Sequence, residues 1–157
     1  MKILALLGEA NSGKTTTLKK LIETIHQQGG NIIEFKQGRK RTKWSSHHTL
    51  NYLLNATKDD VTVVFNYNNK IVVVTTCGDA EELIAPKYKM RSDCDCFVCA
   101  AHLDGSSFKY IQGLSQTNTL ITVPKIGCKG DDKSPDFWSV AQYSENLAIN
   151  QLLAIIP

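Results

Sequence analysis

Eight residues near the start of this 157-residue chain concentrate its capacity for chemistry. Gly8-Glu9-Ala10-Asn11-Ser12-Gly13-Lys14-Thr15 follows the pattern G-x-x-x-x-G-K-[ST]. Glycines let a backbone wrap an anion without a Cβ in the way, and successive N–H groups then point inward as a nest. A helix beginning at Gly13 would add the partial positive charge of its N-terminus. Lys14 would be the point charge for the β and γ phosphates of a nucleotide, Thr15 would offer a hydroxyl to Mg²⁺, and Thr16 would extend the cradle. The plain alternative is a glycine-rich strand–helix turn that binds nothing. The flanks favour the cradle. Lys2 to Leu7 is a continuous apolar run, the mark of a strand buried on both faces, and Leu18, Leu21, Ile22 and Ile25 form one helical stripe.

Three further groups of residues carry candidate chemistry. Asp79 follows the apolar run Ile71 to Val74 and the turn Cys77-Gly78. It would either hold an attacking or metal-bound water beside Thr15, or cap a helix starting at Ala80. Lys36, Arg39, Lys40, Arg41 and Lys43, with Trp44 at their end, form a dense basic segment. Arg39 or Arg41 would clamp an acceptor phosphate or neutralise transition-state charge, or the segment is a solvated loop. Thr42, Thr49 and His47-His48 accompany it. Cys94, Cys96, Cys99 and His102 have ligand types suited to zinc, but C-x-C-x-x-C lacks a second paired knuckle, and Cys94 to Ala101 also reads as a buried strand.

The elements that must position these residues alternate. Strands are expected at 2–7 and 31–36, with a helix at 13–28 between them stopped by Gly29-Gly30. Segment 37–43 reads as a loop and 46–56 as a short helix. Val61 to Tyr67 and Lys70 to Thr76 are rich in β-branched and aromatic residues around Asn68-Asn69, which predicts an antiparallel hairpin on a two-residue turn. A helix from Ala80 should stop at Pro86. A strand at 94–101, a helix at 106–114, a strand at 120–123, a loop at 125–135 and a helix at 144–155 complete the pattern. This predicts one α/β domain over residues 1–157, with a mostly parallel sheet and one antiparallel hairpin strand.

Composition narrows the function classes. The formal charge of +3 is too mild to imply an anionic membrane or nucleic acid as the main partner. No apolar run reaches the roughly 18 residues of a spanning helix, and the short run before Gly8 does not read as a signal peptide. An odd count of five cysteines disfavours a disulfide scaffold. The expectation is a cytoplasmic protein without membrane attachment.

With the motif and both flanks in view, the chain resembles the P-loop NTPase superfamily. The resemblance implies a three-layer sandwich that binds ATP or GTP with Mg²⁺ through Gly8 to Thr16. Ile71 to Asp79 is similar to the strand and D-x-x-G turn of small GTPase-like members, although Thr75 stands where their Asp would be. Lys14, Asp79 and Arg39 are then the candidate catalytic residues, and Thr15 and Asp79 the candidate metal contacts. The guanine-reading N-K-x-D is absent after Leu120 to Val123, where Pro124-Lys125-Ile126-Gly127 stands. The leading expectation is a nucleoside triphosphate hydrolase acting as a switch or assisting a protein partner. One alternative is a nucleotide or small-molecule kinase using segment 36–43 for its acceptor. The other is a nucleotide-dependent binding module whose basic segment touches nucleic acid, with Trp44 as its one stacking aromatic.

Overall fold

A computed structural model describes residues 1–38, 50–55, 58–127 and 136–157, and the backbone of 40–42 and 135. Its elements run in the order β1 (Lys2–Leu7), α1 (Lys14–Gln27), β2 (Asn31–Gln37), β3 (Lys40–Thr42), α2 (Leu50–Asn55), β4 (Val61–Tyr67), β5 (Lys70–Thr75), α3 (Glu81–Met90), β6 (Cys96–Ala101), α4 (Ser106–Leu114), β7 (Thr119–Pro124) and α5 (Pro135–Ile155). The seven strands form one sheet in the order β3-β2-β4-β5-β6-β1-β7. β5, β6, β1 and β7 are mutually parallel, whereas β4 pairs antiparallel with both β5 and β2.

The apolar runs become strands covered on both faces. Leu4, Leu6, Val72, Val74, Val98 and Phe65 pack with Leu18, Leu21, Ile22 and Ile25 of α1, Leu54 of α2 and Leu152 of α5. Ile3, Ala5, Val73, Phe97 and Cys99 face the other way, against Ile84 of α3 and Ile111 of α4. Helices thus cover both faces of a mixed sheet, as an α/β chain with parallel strands requires. Each such side chain taken from water contributes roughly 1.5–3 kcal/mol before the cost of ordering it. The hairpin turn is as the residue types predict: Asn68 and Asn69 take φ of 51° and 59°, the left-handed pair that matches strand twist.

Several boundaries differ from the sequence reading. Segment 37–43 is not all loop, because β3 pairs antiparallel with β2 through Gln37 and Lys40. α3 does not stop at Pro86 but continues to Met90. Proline removes one N–H donor, and beyond it Tyr88 stacks edge-on against Phe97 and Tyr110, at 5.7 and 6.4 Å between ring centroids. α5 begins at Pro135, well before Ser144, in keeping with the tolerance for proline in a first helical turn. The described part of the predicted 46–56 helix is Leu50–Asn55.

The cysteines show what strand alternation does to a ligand pattern. Cys96 faces the α1 side of β6, and Cys99 and Cys94 lie on the α3–α4 side. One metal ion cannot take Cys96 and Cys99 together across the sheet, and among the described residues no cluster of three ligating side chains occurs. Burial pushes the thiols up, to about 11 for Cys94, about 12 for Cys96, and higher still for Cys99. A raised thiol pKa favours the folded state fully below the unfolded value of 9.0. That contribution is lost as pH climbs toward the folded value, because the unfolded chain ionises first. Melting temperature should therefore hold up to about pH 9 and then decline toward pH 11. Iodoacetamide at pH 8 should leave Cys94, Cys96 and Cys99 unmodified while the denatured chain is labelled fully. Rapid native labelling of Cys96 or Cys99, read by peptide mass, would contradict the two-sided packing of β6.

Candidate functional site

β1 ends at Leu7, and the chain turns at once through Gly8–Gly13 into α1. Gly13 holds φ at 83° as the residue preceding the helix, a left-handed conformation that side chains with a Cβ resist. Asn11 also takes positive φ, 57°. The first helical hydrogen bond runs from Thr17 N–H to the Gly13 carbonyl at 2.9 Å. The N–H groups of Lys14, Thr15 and Thr16 therefore have no acceptor within the helix and form its electropositive end. Ala10 through Thr16 line one side of a cavity of about 410 Å³.

Lys14 is the buried centre of this loop, at 6% exposure. Its Nζ donates to the carbonyl oxygens of Gly8 at 3.0 Å and Glu9 at 2.7 Å. Burial lowers its pKa, and the negative charge of Asp79 works in the opposite direction. Two carbonyl dipoles thus solvate an ammonium that has no ion-pair partner at contact distance in the loop. An anion entering the cavity can take over that ammonium. The Ser12 hydroxyl is also buried in the loop without a partner among the described residues, a polar atom that native structures rarely leave unused.

The opposite wall comes from the ends of two other strands. Leu7 of β1 pairs with Ala101 of β6, and Gly8 N–H donates to the Ala101 carbonyl at 3.3 Å. The next residue, His102, is thereby set beside the loop. β5 lies on the far side of β6, and its chain continues through Thr76, Cys77 and Gly78 to Asp79. Gly78 crosses β6 so closely that a Cβ there would lie 2.4 Å from the Ala100 Cβ and 2.5 Å from its carbonyl oxygen. Asp79 arrives within 2.9 Å of His102, Oδ1 to Nε2. Thr76, Asp79, Ala100 and His102 all line the same cavity as Lys14 and Thr15.

This geometry distinguishes between the two sequence readings of Asp79. Ala80, not Asp79, occupies the cap position of α3, and the Glu81 N–H donates to Ser106 Oγ at 3.2 Å. The carboxylate instead meets an imidazole in the cavity. Thr75, which stands at the strand-end position, is fully buried and bonded to the Thr62 hydroxyl at 2.9 Å. It serves the β4–β5 pairing and does not line the cavity.

Sequence reasoning treated His102 only as a partner of the cysteines, and its true neighbours are brought by the β1–β6 register. Lys125, from the stretch that follows β7, is 7% exposed, with Nζ donating to the Ile126 carbonyl at 3.1 Å and to Ser144 Oγ of α5 at 3.0 Å. Its Cε passes 3.8 Å from the position a Cβ on Gly13 would take. Lys125 braces the loop from behind.

The described residues of the basic segment lie elsewhere. Arg39, Lys43, Trp44, His47, His48 and Thr49 lie outside the described residues. Lys36 is engaged with Glu34 at 3.1 Å and with Met90 Sδ. Four strand spacings separate β2 from β1, about 19 Å at the ordinary distance between strands. The described part of the segment therefore does not reach the Lys14 cavity.

The crossing at Gly78 generates a contrast between two glycines. Gly78→Ala should destabilise the chain by about 1–3 kcal/mol, the usual range for forced overpacking. Gly113→Ala in α4, where an added Cβ meets nothing within 4 Å, should be neutral or stabilise by up to about 1 kcal/mol. Urea denaturation of the two variants checks both, and equal stability of Gly78→Ala and the parent would refute the close crossing.

No family model, no curated protein and no solved structure matches the chain.

Proposed function

We propose that this chain binds the phosphates of a nucleoside triphosphate, ATP or GTP, in the cradle of Gly8 to Thr16 and hydrolyses the terminal phosphoanhydride. The observation that carries the reading is the buried Lys14 ammonium at a helix N-terminus, facing the Asp79–His102 pair across one cavity. Unsatisfied helix N–H groups, a dipole and a desolvated lysine all favour a multiply charged anion. The strand–loop–helix junction is the context in which G-x-x-x-x-G-K-T holds phosphates, and it supports assigning the chain to the P-loop NTPase class.

Mg²⁺ suits the donor set, since the Thr15 hydroxyl is a hard oxygen lining the cavity and Mg²⁺ otherwise keeps its waters and phosphate oxygens. When bound, the ion would neutralise charge on the β and γ oxygens. Asp79, whose Oδ1 is engaged by His102, is assigned to the imidazole and not to the ion. Lys14 would exchange the carbonyls of Gly8 and Glu9 for phosphate oxygens and remain to face the charge that develops on the leaving diphosphate. Such turnover suits a switch or a factor assisting a protein partner.

A kinase reading has one observation in its favour. A second cavity of about 400 Å³, lined by residues including Gly38, Asp60, Cys77, Leu83 and Lys87, lies beyond the Thr76–Cys77 segment. Thr76 Oγ1 donates to Asp60 Oδ1 at 2.9 Å and so connects the two cavities. An acceptor seated there would lie on the same sheet edge as the phosphates.

One experiment separates these classes: incubation with Mg·ATP or Mg·GTP, alone and with nucleoside monophosphates, followed by product identification. Free phosphate without an acceptor is the expected result. A nucleoside diphosphate made from an added monophosphate would establish the kinase, and tight binding without products a binding module. Lys14→Ala should weaken triphosphate binding by roughly ten- to a hundredfold, the worth of one hydrogen bond to a charged group. A titration in which Lys14→Ala matches the parent would overturn the site.

A further inference from the structure

We infer that His102 is the proton acceptor for the attacking water, with Asp79 as the residue that orients it. The inference rests on the phosphate-site reading above and adds a residue that the sequence motif does not contain. An ionised carboxylate only accepts hydrogen bonds. The 2.9 Å contact between Asp79 Oδ1 and His102 Nε2 therefore places a proton on Nε2. In the neutral imidazole that leaves Nδ1 with the lone pair. A carboxylate fixing one ring nitrogen so that the other can work as a base is the arrangement that general-base histidines require.

Three structural facts set the pair where it can act. The β1–β6 register places His102 next to Gly8, at the mouth of the phosphate cradle. The glycine crossing at Ala100 carries Asp79 over β6 to meet it. Both side chains line the cavity that also holds Lys14 and the Thr15 end of α1, and the titratable groups on that lining are Lys14, Asp79 and His102. The Asp79 side chain is 79% exposed and that of His102 26%, so the pair stands at the solvent side, where water enters.

The step balances. The water oxygen forms a bond to the γ phosphorus as one of its protons moves to His102 Nδ1. The bond from that phosphorus to the β–γ bridging oxygen breaks, and its electron pair leaves on the nucleoside diphosphate. The imidazolium so formed is stabilised by the Asp79 carboxylate until the proton returns to solvent or to the released phosphate.

The test uses the whole chain with His102→Ala, His102→Gln, Asp79→Asn and the double variant, each checked by circular dichroism. Nucleotide affinity is measured by titration, and turnover by phosphate release from Mg·ATP and Mg·GTP. His102→Ala should lower kcat about a hundredfold or more, as loss of a positioned base does, with affinity within about threefold of the parent. Asp79→Asn should lower kcat about tenfold, and the double variant should be no slower than His102→Ala alone, since the two residues act as a unit. Added imidazole should restore turnover to His102→Ala, whereas sodium chloride at the same ionic strength should not. Parent-like turnover in His102→Ala would overturn the inference while leaving the cradle intact. So would loss of affinity in step with turnover, which would make His102 a binding residue. Failure of the parent chain to bind either nucleotide would instead overturn the phosphate-site reading, and the inference with it.

Discussion

An ammonium group 6% exposed must be solvated by the protein itself, and the fold around the first strand is organised by how that is done. Among the described residues no carboxylate lies at contact distance from Lys14. Its ammonium is held by two backbone carbonyls, which the tight passage from Leu7 to Gly13 turns inward. Burying an unpaired charge costs several kcal/mol, and a chain that retains one has arranged dipoles to offset the cost. Those dipoles come from a loop whose own geometry depends on a left-handed Gly13 and on α1 starting immediately behind it. The same constraint makes the cavity electropositive on one wall; burial lowers the lysine's pKa, and the acidic Asp79 on the other wall opposes that shift across the gap.

The insertion of β6 between β1 and β5 decides what that second wall contains. With β5 next to β1, the Asp79 turn would face the loop directly. With β6 between them, the turn must cross a fully buried strand, and a glycine is the residue that permits a crossing at 2.4 Å. The carboxylate then meets His102 before it meets the cradle. Thr75 and Thr76 divide the remaining work by strand alternation, one joined to Thr62 inside the sheet and the other opening on the cavity.

Much of this was legible in the sequence. The apolar run 2–7, the stripe at Leu18, Leu21, Ile22 and Ile25, and the Asn68-Asn69 hairpin are local patterns, and each element forms where its pattern lies. The strand–loop–helix junction from Gly8 to Thr16 was legible for the same reason, being contiguous. His102 and Lys125 were not, because each enters through strand register: one beside Gly8, the other beneath Gly13. Strand order is a property of the whole sheet and leaves no trace in the periodicity of any one segment. For the cysteines, spacing along a strand conceals which face each residue takes, and Cys96 and Cys99 take opposite ones. Pro86 misled because a proline deprives a helix of one donor without having to end it, and α3 runs on to Met90, where Tyr88 packs on Phe97.

The brace behind the loop has a consequence for thermodynamics. Lys125 leans over Gly13 and grips Ser144, Ser144 also donates to the Ile126 carbonyl at 2.8 Å, and Lys20 of α1 bridges to Glu145 one residue further along α5 at 2.8 Å. The long terminal helix, the end of β7 and the first turns of α1 are thus laced into one body around the loop. Immobilising a single flexible side chain on association costs about 0.5–1.5 kcal/mol. Here the ordering is accomplished when the chain folds, so under the proposed function an anion would meet a loop already in shape and would keep more of its contact energy as affinity.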